Sequence, residues 1–275
     1  MIIDKNNYNL NAFTNAKIVG SAWSDYKREC EFLKSFQDCP IDNIACEFNG
    51  PKGSVLTLIS KENNDVDCLR ATVSFNQDIV YFVNTSWEHY QRECMLIESF
   101  NHCSIEGMVC EFGVLKAKTL NIIANKFNNQ KVYGFDSFKG LPEDWHLSEE
   151  NVFEKGKMKI DNLPKVNSNV ELVVGWYDKT IHEWKKNHTD NIKFIHIDCD
   201  LYSSTSTVLN ELNNQIVKGT IIQFDDFYNW YDLSKYTKWQ EGIYKALLEW
   251  TRDFNRQFII IGRSRHVQTT IKIVN

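Results

Sequence analysis

The sequence predicts an α/β protein. Its core would be a Rossmann-like, mostly parallel sheet with an antiparallel C-terminal strand, preceded by a small N-terminal α+β accessory subdomain. Three observations lead there. From residue 105 onward, short continuous apolar runs alternate with stretches of helical periodicity, the pattern of a parallel sheet covered on both faces. Two of those runs, Phe194-Ile-His-Ile-Asp-Cys-Asp200 and Thr220-Ile-Ile-Gln-Phe-Asp-Asp226, end in paired acids, with one helix's worth of chain between them. The last two apolar runs, Phe258–Ile261 and Val267–Val274, flank Arg263-Ser-Arg-His266 and read as a closing antiparallel pair.

Taken in order, the chain opens with a partial internal duplication. Trp23-Ser-Asp-Tyr-Lys-Arg-Glu-Cys is echoed by Trp87-Glu-His-Tyr-Gln-Arg-Glu-Cys, and Cys46-Glu-Phe48 by Cys110-Glu-Phe112. Each copy begins with an amphipathic helix, carrying Trp23, Tyr26, Cys30, Leu33 and Phe36 on one face in the first, and Trp87, Tyr90, Cys94, Ile97 and Phe100 in the second. The first copy then meets Asn49-Gly-Pro-Lys-Gly53, a turn signal, and short β-prone runs at Val55–Ile59, Cys68–Phe75 and Ile79–Val83. Residues 1–84 thus read as an accessory subdomain, and 85–275 as the main domain. The main-domain strands are predicted at Met108–Phe112, Val132–Phe135, Val170–Val174, Ile192–Ile197 and Thr220–Phe224. Helices are predicted near 117–127, 205–217 and 240–254. The polar stretch 146–168 reads as a mobile loop.

Composition narrows the function. A net charge of -5 and a pI of about 5.8, without a basic run, argue against a nucleic-acid partner. No apolar segment is long enough for a spanning helix, and the N-terminus lacks a signal-peptide layout, so a cytoplasmic protein without a membrane partner is expected. The eight cysteines sit mostly in apolar-periodic segments and form no CxxC pair, which predicts reduced, buried thiols rather than disulfides or a zinc site.

The predicted sheet would gather Asp198, Asp200, Asp225 and Asp226 at the carboxyl ends of adjacent strands, where open α/β sheets bind ligands. Acids so placed repel one another unless a cation sits among them, and oxygen donors suit a divalent one. Glu111-Phe-Gly113 ends the first core strand before a helix, and Asp136 follows the second strand at the spacing of an acid that holds ribose hydroxyls. Together they favour a nucleoside ligand. His196 lies beside the acids, its side chain opposite to those of Ile195 and Ile197, and reads as a packed or hydrogen-bonded core histidine rather than a catalyst. Aromatic residues after the strand ends (Trp176, Tyr177, Tyr202, Phe227, Tyr228, Trp230 and Tyr231) divide between core and a wall that could stack on a sugar.

Val132-Tyr-Gly-Phe-Asp-Ser-Phe-Lys-Gly-Leu-Pro142, Gly175-Trp-Tyr-Asp-Lys-Thr180, Ile195-His-Ile-Asp-Cys-Asp-Leu-Tyr-Ser-Ser204 and Phe224-Asp-Asp226 resemble the macrocin O-methyltransferase family, over residues 87 to about 250. The resemblance implies a class I methyltransferase that uses S-adenosylmethionine (SAM) and Mg2+ to methylate a sugar hydroxyl, with a sugar or glycoside acceptor and a homodimeric assembly. It implies Asp198, Asp225 and Asp226 as metal ligands and Asp200 as general base. It places Glu111, Gly113, Asp136, Ser137, Gly175, Trp176 and Asp198 around SAM. Ala117-Lys118 stands where the family has glycine. Two other readings fit the residues: a catechol-type small-phenol O-methyltransferase, and a degenerate SAM-binding scaffold.

Overall fold

The computed structural model describes residues 2–4, 17–19, 44–48, 56–60, 81–83, 88–227, 236–264 and 267–275. Five short strands come first: β1 (Ile2–Asp4), β2 (Lys17–Val19), β3 (Ile44–Phe48), β4 (Leu56–Ser60) and β5 (Tyr81–Val83). β1, β3 and β4 form an antiparallel sheet of their own, in the order β1-β3-β4. Helix α1 (Glu88–Phe100) and strand β6 (Met108–Phe112) follow, then α2 (Lys118–Lys126) and β7 (Val132–Asp136). Two-residue strands β8 (Trp145–His146) and β9 (Val152–Phe153) pair inside the stretch read as an irregular loop. Next come β10 (Val170–Val174), α3 (Tyr177–Lys185), β11 (Ile192–Ile197), α4 (Tyr202–Glu211) and β12 (Ile216–Phe224). The described chain closes with α5 (Ile243–Asp253), β13 (Phe258–Ser264) and β14 (Thr269–Ile273).

The main sheet runs β10-β7-β6-β11-β12-β14-β13-β5-β2. Its first five strands are parallel, and β14 lies antiparallel to both β12 and β13, as the turn after Phe258–Ile261 predicts. All five predicted core strands are present. β12 starts earlier than predicted because Ile216 pairs with Ile192, and α4 accordingly stops at Glu211 rather than near 217. Helix α3 had too little signal for sequence reading: Ile181 and Trp184 are its buried residues, too short a stripe to stand out from the polar positions between them. The duplicated strand appears twice, as β3 and as β6, yet in different sheets. β5, within the predicted β-prone run Ile79–Val83, pairs with β13 of the main sheet, and β2 pairs with β5. The predicted first-copy helix and the run Cys68–Phe75 lie outside the described residues.

Strand alternation divides the core in two. Val109, Val132, Phe194 and Ile221 face α1 and α2, with Leu96, Phe100, Leu120 and Ile123 packed on them. Cys110, Phe112, Ile195, Ile197, Ile222 and Phe224 face the opposite layer, which includes Ile181, Trp184, Val208, Leu209, Leu247 and Trp250. Each such side chain, fully buried, contributes on the order of 1.5–3 kcal/mol, so the two layers hold the strand ends in fixed relation. Cys94, Cys103, Cys110 and Cys199 are not in disulfides, and burial pushes the Cys110 and Cys199 thiols far above their ordinary value. No helix among the described residues is long and apolar enough to cross a membrane.

Candidate active site

A cavity of about 860 Å³ opens over the carboxyl ends of β6, β7, β10, β11 and β12. At the end of β6, Gly113 adopts φ 94°, a conformation that favours glycine. A Cβ there would stand 1.8 Å from the Asp198 carbonyl oxygen, so no other residue fits. The close approach stitches three strand ends together: the Asp198 N–H donates to the Phe112 carbonyl at 2.8 Å, and the Gly113 N–H to the Phe135 carbonyl at 3.0 Å.

Asp136, at the end of β7, holds the loop after Gly113. Its Oδ2 accepts from the Val114 and Leu115 N–H groups at 2.8 and 2.9 Å, and its Oδ1 from the Phe138 N–H at 2.7 Å. A carboxylate offers about four acceptor positions, so room is left for one more donor from a ligand. Ser137 is turned into a local bond, its Oγ accepting from the Lys139 N–H at 3.1 Å. Gly175 and Trp176, which lead into α3, line the cavity beside Asp136, and the Gly175 N–H donates to the Asp136 carbonyl at 3.0 Å.

Ala117 caps α2 in the left-handed region with φ 57°. Lys118 points away to an ion pair with Glu93 of α1 at 2.7 Å. A left-handed alanine is strained, so Ala117→Gly should stabilise the protein by roughly 0.5–1.5 kcal/mol, read as a rise in thermal midpoint. An unchanged or lowered midpoint would contradict the strain.

Three acids converge across the cavity. Ligand oxygens of Asp198, Asp200 and Asp226 lie within 4.8 Å of one another. Asp200 joins the group by a route that strand alternation does not foresee. β11 ends at Ile197, and Asp200 takes φ 63° at the centre of a tight turn closed by the Leu201 N–H on the Cys199 carbonyl at 2.6 Å. Such positive-φ γ-turns are rare and strained. Burial, then Asp226 and Asp198, push the Asp200 carboxyl well above the usual range. Asp225, expected beside Asp226 in the ligand set, is fully buried and pairs with Arg92 of α1, which also stands 3.8 Å from Asp198 Oδ2. Burial and then Asp198 push its carboxyl up to about 6, against the lowering pull of Arg92 and His196.

Glu111, expected along the SAM site, lies in the layer beneath. It is fully buried, with Oε1 2.8 Å from His196 Nδ1. His196 is likewise a buried, hydrogen-bonded core residue; burial, the largest single effect, lowers its pKa, but the Glu111 bond and the charges of Glu111, Asp198 and Asp225 together outweigh it and raise it. Sequence reading missed the aromatic wall formed by Trp145, Phe153 and Tyr236, which all line the cavity. Trp145 meets Tyr236 edge-to-face at 5.7 Å and Phe153 at 5.5 Å. The signal was two aromatic residues inside an otherwise polar stretch. Phe227 stacks on Phe224 in the core, while Tyr228, Trp230 and Tyr231 lie outside the described residues. The clustered oxygen donors, with the Asp200 carboxyl raised by burial and then by the charges of Asp226 and Asp198, fit a hard divalent cation.

A parallel sheet with a glycine loop, an acid after the second strand and an antiparallel strand set in beside β12 is the fold layout of class I methyltransferases. The chain belongs to the macrocin O-methyltransferase family, whose profile matches residues 89–243, and is a SAM-dependent O-methyltransferase. Among solved structures it is similar in fold to the calicheamicin methyltransferase CalS11, at 17% identity and a TM-score of 0.53, covering 96% of each chain. The O-methyltransferase NovP matches at 17% identity and a TM-score of 0.47 over 68% of this chain and 80% of its own. A search of curated proteins returns no match.

Proposed function

We propose that the protein transfers the methyl group of SAM to a hydroxyl of a sugar or glycosylated small molecule, with a magnesium ion at the acid cluster. The convergence of Asp198, Asp200 and Asp226 beside the Gly113 loop, within one cavity, carries this reading. Membership of the macrocin O-methyltransferase family supports a sugar as substrate.

Gly113, Asp136, Gly175 and Trp176 would hold SAM, with the last acceptor position of Asp136 taking a ribose hydroxyl. Asp198 and Asp226 would hold the cation. A magnesium ion bound there supplies electrostatic stabilisation to negative charge growing on the acceptor oxygen. Asp200, adjacent to both, takes the hydroxyl proton; its raised pKa suits a proton acceptor. The hydroxyl oxygen bonds to the methyl carbon, the carbon–sulfur bond breaks in line, and S-adenosylhomocysteine leaves. The residues around the cavity act chiefly by placing oxygen and methyl about 3 Å apart and in line. We also propose a cytoplasmic homodimer, which sedimentation of the purified protein and fractionation of the source cells would test.

Incubation with methyl-labelled SAM, Mg2+ and a panel of glycosides and vicinal phenols tests the reading. An O-methyl sugar product is expected. Transfer to phenols alone would favour the catechol-type enzyme, which the aromatic wall would also accommodate. SAM binding without any transfer would favour a scaffold. Asp136→Asn should weaken SAM binding by roughly 1–3 kcal/mol, since charge-assisted bonds to the loop and the ribose are lost together. Calorimetry with unchanged SAM affinity would remove Asp136 from the site.

A further inference from the structure

The hairpin of β13 and β14 reads in sequence only as a closing pair of strands, and it lies beyond the segment that matches the family, residues 89–243. It nevertheless reaches the acid cluster. β14 pairs antiparallel with β12, with Thr269 opposite Phe224. One step further in the same register, Gln268 stands opposite Asp225. Residues so paired share a face of the sheet, with Cβ atoms about 4.5–5.5 Å apart. The two segments stay together beyond that pair: the Phe227 N–H donates to the Val267 carbonyl at 3.0 Å, and Val267 lines the cavity. Gln268 and Asp225 are both buried.

Bonds to Ser264 of β13 set which way the Gln268 amide faces. The Gln268 backbone N–H donates to Ser264 Oγ at 3.1 Å, and the Ser264 O–H donates in turn to Gln268 Oε1 at 2.5 Å. The Ser264 N–H also donates to the Gln268 carbonyl at 2.9 Å. With Oε1 taken by a hydroxyl proton, the other branch of the amide is its NH2 group, which can only donate. That group meets the Asp225 carboxylate as a hydrogen-bond donor. Arg92 holds the same carboxylate from α1 and reaches Asp198 as well, so the held group lies next to Asp198. A buried carboxylate is costly unless its oxygens meet donors, and here two elements far apart in sequence supply them.

We propose that Gln268 is a positioning residue: fixed by Ser264, its amide sets the Asp225 carboxylate beside Asp198 and so shapes the cation site from the C-terminal hairpin. This rests on the cation reading given above, with Asp225 in the site as the family resemblance implies. Groups that orient metal-holding carboxylates without touching the metal set the affinity of the site. Two donors from different elements fix where a carboxylate points, whereas one alone lets it turn. Without the Gln268 donor the cation should therefore bind less tightly. A residue that merely braced the hairpin would lower thermal stability and leave cation affinity as it was.

Manganese titrated alone into the full-length protein by calorimetry provides the test. Gln268→Met keeps the volume and removes the donor, and should weaken Mn2+ binding roughly 10–100-fold, the usual effect of losing such a partner. SAM affinity should stay the same. Ser264→Ala, which lets the amide turn over, should weaken Mn2+ binding in the same direction but less. Ser264→Thr keeps the hydroxyl and should stay close to the unaltered protein. Because Ser264 acts through Gln268, adding Ser264→Ala to Gln268→Met should cost no further Mn2+ affinity. If Gln268→Met is too unstable to purify, the Ser264 pair decides: alanine should weaken Mn2+ binding and threonine should not. Unchanged Mn2+ affinity in Gln268→Met, equal affinities in Ser264→Ala and Ser264→Thr, or a Ser264→Ala effect that persists in full without Gln268, would overturn the inference. Failure of the unaltered protein to bind Mn2+ would overturn the cation reading, and this inference with it.

Discussion

Gly113→Ala is expected to abolish SAM binding and to destabilise the protein severely. Two effects combine. The residue's φ of 94° lies outside the regions that alanine adopts readily, and its Cβ would stand 1.8 Å from the Asp198 carbonyl oxygen. The obstructing atom is backbone of a strand terminus, so it cannot swing aside. Strain at such a position costs on the order of 1–3 kcal/mol, and moving the β11 end adds to it. That end also carries the Asp198 carboxylate, so the damage spreads from the SAM loop to the acid cluster. Thermal unfolding and calorimetry with SAM would read both losses. A Gly113→Ala protein with near-normal stability and SAM affinity would show that the β6–β11 contact is less close than the geometry requires.

Asp200→Asn should lower kcat by roughly 10²–10⁴ while leaving SAM affinity unchanged, the usual worth of a general base. Asparagine is the conservative choice because it tolerates the left-handed backbone at φ 63°. Asp200→Gly should lose activity to a similar degree yet gain stability by about 1 kcal/mol, as the strained turn relaxes and one buried acid disappears. Opposite movement of stability and activity is the mark of a position held in strain for function. Normal turnover by Asp200→Asn would mean that no side-chain base is needed there. Loss of stability in Asp200→Gly would mean that the turn is not strained.

The fold was largely legible because its signals are strong and local. Runs such as Ile192–Ile197 and Thr220–Phe224 are predominantly apolar and buried on both faces, as a covered parallel sheet requires. Gly113 and Asp136 were legible through spacing, since the helix between them fixes how far apart the two strand ends fall in sequence. What was not legible depends on backbone turns and on partners distant in sequence. Strand alternation was extended to Asp200, but the strand ends at Ile197, and a left-handed turn sets the direction of that side chain. Asp225 was grouped with Asp226 as a metal ligand because the family resemblance implies both. Adjacent residues at a strand end point to opposite sides, and Arg92 claims one of them from 133 positions earlier in the chain. Glu111 shows the same limit: its place at the strand end was visible, but the bond to His196 that turns it into the core was not.

Methyl transfer by metal-depleted enzyme tests the central claim most directly. The protein would be exhaustively chelated, shown to retain its fold and SAM affinity, and assayed with labelled SAM and a glycoside acceptor before and after Mg2+ is restored. The account predicts loss of turnover on chelation, recovery with Mg2+, and no recovery in Asp226→Asn, with the label on a sugar hydroxyl. Full turnover by the chelated enzyme would contradict it.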